Sequence, residues 1–304
     1  MSHVENELKS QPECWVRAAG EAADHGDVLP AAGERVAVVG CGTSWFMAQA
    51  FAVLREQAGQ GETDAFAASE FPHGRSYDRV VALTRSGTTT EVLDLLGRLK
   101  GRTRTVAITA DPRTPVMEAA DDIVVLDYAD EKSVVQTRFA TTALTLLRAH
   151  LGLHDDTVVA DARTALAERL PEGLVDCTQF TFLGRGWSVG LANEAGLKMR
   201  EASLAWTEAY PAMEYRHGPI SVTTAGTATW MLGEAPEGLA QQVRDTGALW
   251  VGGKLDPLAE LVRAQRLAVA VAAARGLDPD QPRHLTRSVV LTHPEVATSS
   301  NRTS

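Results

Sequence analysis

The sequence predicts an α/β protein built from two tandem, doubly wound parallel sheets, each covered by helices in a three-layer α/β/α arrangement. Two observations predict this class. Short runs rich in valine and isoleucine alternate with helical segments, which is typical of a parallel sheet buried on both faces. In addition, GCGTS at 40–44 matches GRGWS at 184–188, each between a predicted strand and a predicted helix. We interpret this match as an internal duplication of one flavodoxin-like unit, with a first domain over 1–155 and a second domain plus C-terminal tail over 156–304.

The first half follows one strand–turn–helix plan. The segment RVAVVGCGTS from Arg35 is a buried strand that leads into a glycine turn, and RVVALTRSGTTTE from Arg79 repeats this order. In sequence order, the predicted elements are a helix over 5–29, a strand from 35, a helix over 45–57, strands over 80–84, 105–109 and 122–127, and a helix over 137–151.

The second half begins with a predicted helix over 155–175 and then repeats the plan. A strand from Gln179 leads into the second glycine turn, and a helix occupies the first half of segment 193–219. Strands over 227–232 and 248–252 complete the predicted second sheet.

Composition excludes several classes of function. The formal net charge of −10 argues against nucleic acid and anionic membranes as partners. The longest apolar run, 267–274, is far too short to cross a bilayer, and the polar N-terminus does not resemble a signal peptide. Three cysteines, Cys14, Cys41 and Cys177, show no metal-ligand spacing and cannot all pair. We therefore expect a cytoplasmic protein without a metal site, with a polar and disordered end at 297–304.

The glycine turns do not fit a dinucleotide. The G-x-G-x-x-G fingerprint needs a third glycine where the helix packs against the strand. That position is Trp45 in the first half and Val189 in the second. The sequence also has no G-x-x-x-x-G-K-[ST] segment for a nucleoside triphosphate. We therefore expect no nucleotide, and the chemistry inferred below requires no cofactor.

The second turn of the first half predicts an anion site. Residues 84–90 (TRSGTTT) place five hydroxyls and one guanidinium at the start of a predicted helix, where free N–H groups and the helix dipole favour an anion. The corresponding turn at 233–238 (GEAPEG) has two carboxylates and no hydroxyl. We expect one phosphate-like group per chain, bound in the N-terminal half. The alternative, that the hydroxyls only cap the helix, accounts for one of the five.

Segment 193–219 carries groups suited to proton transfer on a carbon acid. Glu194, Lys198 and Glu201 have the spacing that puts an ammonium between two carboxylates on one helix face. His217 follows in an irregular stretch. On a phosphosugar, we assign Glu201 to move a proton between C1 and C2, Lys198 to support it, and His217 to open the ring. The alternative is a solvated helix face followed by a loop histidine.

At these residues the sequence resembles the tandem SIS (sugar isomerase) domain family, and within it the isomerase module of glutamine–fructose-6-phosphate aminotransferase. The resemblance covers nearly the whole chain. The motifs that carry it are CGTS at 41–44, SGTT at 86–89, EKSVVQTR at 131–138, FLGRG at 182–186, the helix at 194–201 and RHGP at 216–219.

The resemblance implies a function for each matching residue. Glu201 matches the family's enediol base and Lys198 its neighbouring lysine. His217 matches the ring-opening histidine, which in the family reaches into the partner's site, so a homodimer with shared active sites is implied. The residues implied in substrate binding are Ser44, Thr84, Arg85, Ser86 and Thr89 for the phosphate, and Thr43 and Val134 for the sugar.

Three departures from the family pattern bear on the substrate. No glutaminase domain accompanies the isomerase motifs, so glutamine-dependent synthesis is not expected. Arg287 stands where the family has an imine-forming lysine. A guanidinium cannot form an imine at neutral pH, and we expect Arg287 to contact the substrate instead. Thr84 and Arg85 replace a Ser-Gln pair, which adds positive charge beside the phosphate or reaches a second acidic group on the substrate.

We therefore predict an isomerase or deaminating isomerase that acts on an amino- or modified hexose 6-phosphate, such as glucosamine 6-phosphate, through an enediol or enolamine. Two alternatives stay open. One is a deglycase of fructosamine phosphates, which would use the same base. The other is a regulatory protein that binds a sugar phosphate without turning it over. Retention of Glu201, Lys198 and His217 favours an enzyme, because a regulator has no need of all three.

Overall fold

Two parallel β-sheets covered by helices form the centre of the protein. The computed structural model describes residues 2–253 and 255–291, so the polar end predicted at 297–304 lies outside the described residues. The predicted α/β class with two parallel sheets is confirmed. The described helices include none with the length and hydrophobicity that a bilayer crossing requires.

The first half contains a five-stranded sheet. Its helices are α1 (His3–Lys9), α2 (Gln11–Glu21), α3 (Thr43–Gln57), α4 (Thr90–Leu99), α5 (Val116–Ala119) and α6 (Arg138–His150). Its strands are β1 (Val36–Gly40), β2 (Thr63–Ala67), β3 (Arg79–Leu83), β4 (Arg104–Thr109) and β5 (Asp122–Val125). All strands are parallel in the order β2-β1-β3-β4-β5. The strand order reverses between β1 and β3, and open α/β sheets bind ligands at such a point, beyond the carboxyl ends of the strands.

The second half contains a four-stranded sheet. Its helices are α7 (Asp156–Ala167), α8 (Ser188–Ser203), α9 (Leu239–Asp245) and α10 (Pro257–Ala274). Its strands are β6 (Gln179–Gly184), β7 (Trp206–Pro211), β8 (Thr227–Leu232) and β9 (Leu249–Gly252). The parallel order β7-β6-β8-β9 repeats the first four positions of the first sheet.

Two kinds of sequence prediction fail. The helix predicted over 5–29 is two helices, because α1 ends at Lys9, Ser10 serves as its C-cap, and α2 starts anew with Pro12 in its first turn. The edge strands β2 and β7 were not predicted, since both lie half-buried at a sheet edge and lack the continuous apolar run of a central strand. In contrast, β1 and β3 are buried at every position, as expected for central parallel strands.

The two halves share one hydrophobic core, and helices α3 and α8 cross within it. At the crossing, a Cβ on Gly190 would lie 2.4 Å from the carbonyl oxygen of Phe46, so only glycine permits this approach. The Asn193 side chain donates to Oε1 of Gln49 at 2.9 Å across the same contact. The crossing therefore brings helix α8, which carries Glu201, beside the glycine turn that begins α3.

Candidate active site

A cavity of about 200 Å³ lies where the two halves meet. The glycine turn after β1 and the turn after β3 form one side of it, and helix α8 contributes Glu201. The segment 285–289 from the C-terminal end of the chain forms a further wall. The residues assigned from the sequence that line this cavity are Thr43, Ser44, Thr84, Arg85, Ser86, Thr89, Val134, Glu201 and Arg287.

Hydroxyl groups and the start of helix α4 make up the wall beyond β3. The Ser86 hydroxyl accepts from the Thr88 backbone N–H at 3.3 Å, which shapes the turn. The Thr84 hydroxyl is buried and has no hydrogen-bond partner among the described residues. It lines the cavity, so a ligand oxygen there would satisfy it. Thr89 is the N-cap of α4 and also lines the cavity, where the helix dipole favours an anion.

The C-terminal segment crosses the start of α4. The Thr90 N–H donates to the carbonyl of Val289 at 3.1 Å, and the Leu291 N–H donates to the Thr90 hydroxyl at 2.8 Å. The Thr88 hydroxyl donates to that of Ser288 at 2.9 Å. The segment therefore uses part of the donor set at this helix start and covers the hydroxyl-rich turn.

The Arg85 guanidinium is buried and hydrogen-bonded to the protein itself. It donates to the backbone carbonyls of Ser133 at 3.0 Å, Val134 at 3.3 Å and Arg287 at 3.1 Å. It also lies 3.4 Å from a carboxylate oxygen of Glu131. Arg85 thus joins the loop that presents Val134 to the segment that presents Arg287, while its buried Nε has no hydrogen-bond partner among the described residues.

Two buried carboxylates hold the loop at 131–137. Glu131 accepts from the backbone N–H groups of Thr137 at 2.6 Å and Arg138 at 2.8 Å, at the start of α6. Burial raises the pKa of Glu131 despite the neighbouring Arg85. Glu7, from helix α1, accepts from the Lys132 N–H at 2.6 Å. The position of this loop, which carries the cavity residues Val134 and Gln136, therefore depends on distant parts of the chain.

Helix α8 carries the predicted arrangement of an ammonium between two carboxylates. The Nζ of Lys198 lies 3.5 Å from Oε1 of Glu194 and donates to Oε2 of Glu201 over a shorter distance. Glu194 and Lys198 are almost fully buried, whereas the Glu201 side chain is 18% exposed and lines the cavity. The solvated helix face that the spacing also allowed is excluded. Lys198 lies behind Glu201 and does not line the cavity itself.

Burial and neighbouring charges shift the pKa values of Glu194 and Lys198. Burial raises the pKa of Glu194 to about 8, against the opposing effect of Lys198. Burial alone would lower the pKa of Lys198, but the carboxylates of Glu194 and Glu201 outweigh it, and the pKa is raised. Glu194 is therefore mostly protonated at neutral pH, while Lys198 remains an ammonium that orients Glu201.

His217 and Arg287 differ from the other assigned residues. His217 ends a short 3₁₀ helix at Glu214–His217, is exposed, and does not line the cavity of its own chain. The Arg287 guanidinium forms an ion pair with Asp130 and donates to the carbonyl of Glu131. Arg287 therefore braces the cavity wall, and its two terminal nitrogens have protein partners.

Some cavity residues were not assigned from the sequence. Gln136, Thr286 and Ser288 line the cavity, as does Cys41 in the glycine turn. Gln136 falls within the EKSVVQTR motif, which was an available signal. Thr286 and Ser288 had no such signal in the sequence, because their position in the cavity wall depends on how the C-terminal segment folds back. Among the described residues, no group of three or more His, Cys, Asp or Glu side chains is placed to hold a metal ion.

Residues 31–151 match the SIS domain family. Among curated proteins, the glutamine–fructose-6-phosphate aminotransferase of Nostoc sp. is 27% identical, with 85% of this chain and 52% of that protein covered. The aminotransferase of Methanothermobacter thermautotrophicus is 25% identical, with 91% of this chain and 54% of that protein covered. The chain thus spans about half the length of these curated relatives.

Solved structures share the fold over nearly the whole chain. Glucosamine-6-phosphate deaminase from Thermotoga maritima has a TM-score of 0.80 at 25% identity, with 95% of this chain and 100% of that chain covered. The C-terminal domain of glucosamine–fructose-6-phosphate aminotransferase from Francisella tularensis has a TM-score of 0.79 at 20% identity, with coverage of 92% and 98%. The latter likeness concerns the fold alone.

Proposed function

We propose that this chain is a phosphosugar isomerase. The premise is that residues 31–151 match the SIS domain family and that the chain resembles the isomerase module of the aminotransferases, as its motifs predict. The proposed substrate is an amino- or modified hexose 6-phosphate, and the leading reaction is deaminating isomerisation of glucosamine 6-phosphate. One observation carries the proposal: Glu201 and the hydroxyl-rich start of α4 line the same cavity. The structural likeness to a glucosamine-6-phosphate deaminase supports the choice of substrate.

In this proposal the phosphate binds where β1 and β3 end. Ser44, Ser86 and Thr89 line that part of the cavity, and the free N–H groups and dipole of α4 add to the attraction. Thr84 supplies its unpaired buried hydroxyl, while Arg85 fixes the loop on which Val134 meets the sugar. Binding by neutral donors at a helix start offsets the unfavourable net charge of the chain.

Glu201 acts as the base. It removes the proton from C2 of the open sugar and returns it to C1, which converts the enolamine to a ketimine that water hydrolyses to fructose 6-phosphate and ammonia. Lys198 orients the Glu201 carboxylate through their ion pair. Glu194 also contacts the Lys198 ammonium. Its raised pKa keeps the Glu194 carboxyl protonated near neutral pH.

The test is turnover of glucosamine 6-phosphate, followed as ammonia and fructose 6-phosphate. We expect Glu201→Gln to lower kcat by about 10²- to 10⁴-fold, the usual contribution of a general base. The matched control is Glu234→Gln, an exposed glutamate in the corresponding turn region of the second half, which should keep full activity. Binding of hexose phosphates without turnover of any of them would contradict the enzyme and support the alternative of a sugar-phosphate-binding regulator.

We also propose a homodimer with shared active sites, located in the cytoplasm. Support comes from His217, which is exposed and outside the cavity of its own chain. Met213 and Val222, on either side of it in sequence, are 47% and 56% exposed, which suits an apolar contact between subunits. His217 would then open the ring of the sugar bound by the partner.

Subunit mixing tests the shared site. Glu201→Gln and His217→Ala should each be inactive alone, whereas mixed dimers contain one site with both native residues. Statistical re-association should therefore restore roughly a quarter of the native activity. A mixture that stays as inactive as its components, with hybrid dimers demonstrated by mass, would contradict shared sites.

A further inference from the structure

Glu7 is a buried glutamate outside the active-site cavity, and the proposed function makes no use of it. It belongs to helix α1, and only 4% of its surface is exposed. Its Oε1 accepts from the backbone N–H groups of Lys132 at 2.6 Å and Ser133 at 3.3 Å, and its Oε2 contacts the Ser133 hydroxyl. Burial of a carboxyl group is costly unless hydrogen bonds satisfy it. Within the described part of the chain, these bonds join Glu7 to two neighbouring positions of one loop.

The loop that Glu7 contacts directs neighbouring side chains to opposite sides. Val135 is 2% exposed and packs in a small apolar cluster with Val4 and Leu8 of α1. Its neighbours Val134 and Gln136 line the active-site cavity instead. A shift of the loop by one residue would therefore exchange the side that faces α1 with the side that faces the cavity, as a register shift does in a strand.

Apolar packing alone does not decide which valine faces the cavity. Val134 and Val135 have the same side chain, so burial of either one against α1 gives the same hydrophobic stabilisation. Arg85 donates to the carbonyls of Ser133 and Val134, but every residue offers a carbonyl, so such bonds tolerate a shift. The contact between Glu7 and the Ser133 hydroxyl does not, because neither neighbour of Ser133 carries a hydroxyl.

The far end of the loop places a polar group in the cavity. Glu131 accepts from the Thr137 N–H at 2.6 Å, so only residues 134–136 separate this anchor from Ser133. Within that interval, the Oε1 of Gln136 is buried and has no hydrogen-bond partner among the described residues. Because Gln136 lines the cavity, a hydroxyl or amino group of a bound sugar would satisfy it.

We infer that Glu7 is a positioning residue for the sugar, which acts through Ser133 on the loop that carries Val134 and Gln136. The groups that bind the phosphate in the proposed function lie on other segments, the turns after β1 and β3. Recognition of the sugar therefore depends on Glu7, and recognition of the phosphate does not. The inference rests on the proposed function for the class of ligand, a phosphosugar, and is independent of turnover.

Calorimetric titration with two ligands tests this difference. Fructose 6-phosphate engages both the loop and the hydroxyl-rich turn, whereas inorganic phosphate engages only the turn. Glu7→Ala should weaken binding of fructose 6-phosphate about tenfold, the loss of one or two hydrogen bonds, and leave binding of inorganic phosphate unchanged. The matched control Glu13→Ala, at an exposed glutamate in the first turn of α2, should bind both ligands as the native protein does.

Two further variants separate positioning from folding. Glu7→Gln should keep most of the affinity, because its amide oxygen can accept from both loop N–H groups and its amino group can donate to the Ser133 hydroxyl. Ser133→Ala removes only that hydroxyl. It should show the same selective loss for fructose 6-phosphate even if urea unfolding shows that Glu7→Ala does not fold.

A double variant tests whether Glu7 acts through the loop. Gln136→Ala removes a side chain that Glu7 positions, so Glu7→Ala/Gln136→Ala should lose less affinity for fructose 6-phosphate than the sum of the two single losses. Additive losses, an equal loss for both ligands, or native affinity in folded Glu7→Ala would overturn the positioning role. Native protein that binds fructose 6-phosphate but turns over no phosphosugar would contradict the proposed function alone, and absence of this binding would overturn both.

Discussion

The glycine turns of the two halves have the same backbone and different surroundings. Gly42 and Gly186 have φ of 54° and 55°. A Cβ on Gly40 would lie 2.6 Å from the Ser44 Cβ, and one on Gly184 would lie 2.3 Å from the Ser188 carbonyl oxygen. Both turns therefore require glycine for the same close approach of strand and helix.

The serine that ends each turn marks the difference. Ser44 lines the active-site cavity. Its counterpart Ser188 donates to the carbonyl of Leu232 at 2.8 Å and accepts from the Arg185 N–H at 2.9 Å. The hydroxyl at the same place thus faces the active-site cavity in one half, and in the other it joins the turn to strand β8 through hydrogen bonds. The comparison teaches that a shared strand–turn–helix frame does not decide function, which depends on the partners of its side chains.

The largest loss of stability and turnover should follow a substitution in the second half, whose helix α8 carries the charged residues. At pH 9, where Glu194 with its pKa of about 8 is mostly ionised, Lys198→Met leaves Glu194 and Glu201 without their shared cation, and breaking such a buried pair costs about 3 to 5 kcal/mol. We expect this loss in the free energy of unfolding measured with urea, together with loss of turnover. Lys132→Met, at an exposed lysine of the loop before α6, is the matched control and should change neither.

A double variant sharpens this result. If the cost of Lys198→Met arises from the buried carboxyl, Glu194→Gln/Lys198→Met should recover much of the stability but none of the activity. An equal loss of stability in the single and double variants would show that packing around Lys198, and not its charge, stabilises α8.

A smaller effect should appear in the pH dependence of stability. The pKa of Glu194 is raised from an ordinary 4.5 to about 8 in the folded protein. A carboxyl group whose pKa is raised in the folded state stabilises the protein most at pH values below its pKa in the unfolded state. This stabilisation is lost as the pH rises towards the pKa of the folded state. Relative to Glu194→Gln, the native protein should therefore lose at least about 1.4 kcal/mol, one pKa unit, between about pH 5 and pH 8. Parallel pH profiles of the two proteins would contradict the assignment.

The sequence predicted the central strands and the facing side chains of α8 well, because both follow from periodicity. Burial on both faces gives β1 and β3 continuous apolar runs, and the spacing of Glu194 and Lys198 fixes their common face. The break at Ser10 was missed since the residues on either side of it are compatible with a helix.

The residues of the candidate site could be predicted from the sequence only where they lie together in one segment. The hydroxyl-rich turn is contiguous in sequence, so its place at a helix start could be read directly. Arg85 was assigned to the substrate and lines the cavity, but its hydrogen bonds to Ser133, Val134 and Arg287 were not predicted. These partners are distant in sequence, and no local pattern reports contacts that arise when the loop and the chain end fold back together.

Substitution of the two paired serines by alanine tests most directly whether only the first turn serves a ligand. Ser44→Ala should weaken binding of glucosamine 6-phosphate about tenfold, the effect of a hydrogen bond to a charged group, and leave the free energy of unfolding unchanged. Ser188→Ala should leave binding unchanged and cost about 1 to 3 kcal/mol of stability, because it removes buried hydrogen bonds. For each variant, calorimetric titration gives the dissociation constant and urea unfolding gives the free energy of unfolding. Weaker binding in Ser188→Ala, or lost stability with intact binding in Ser44→Ala, would contradict the division between the two halves.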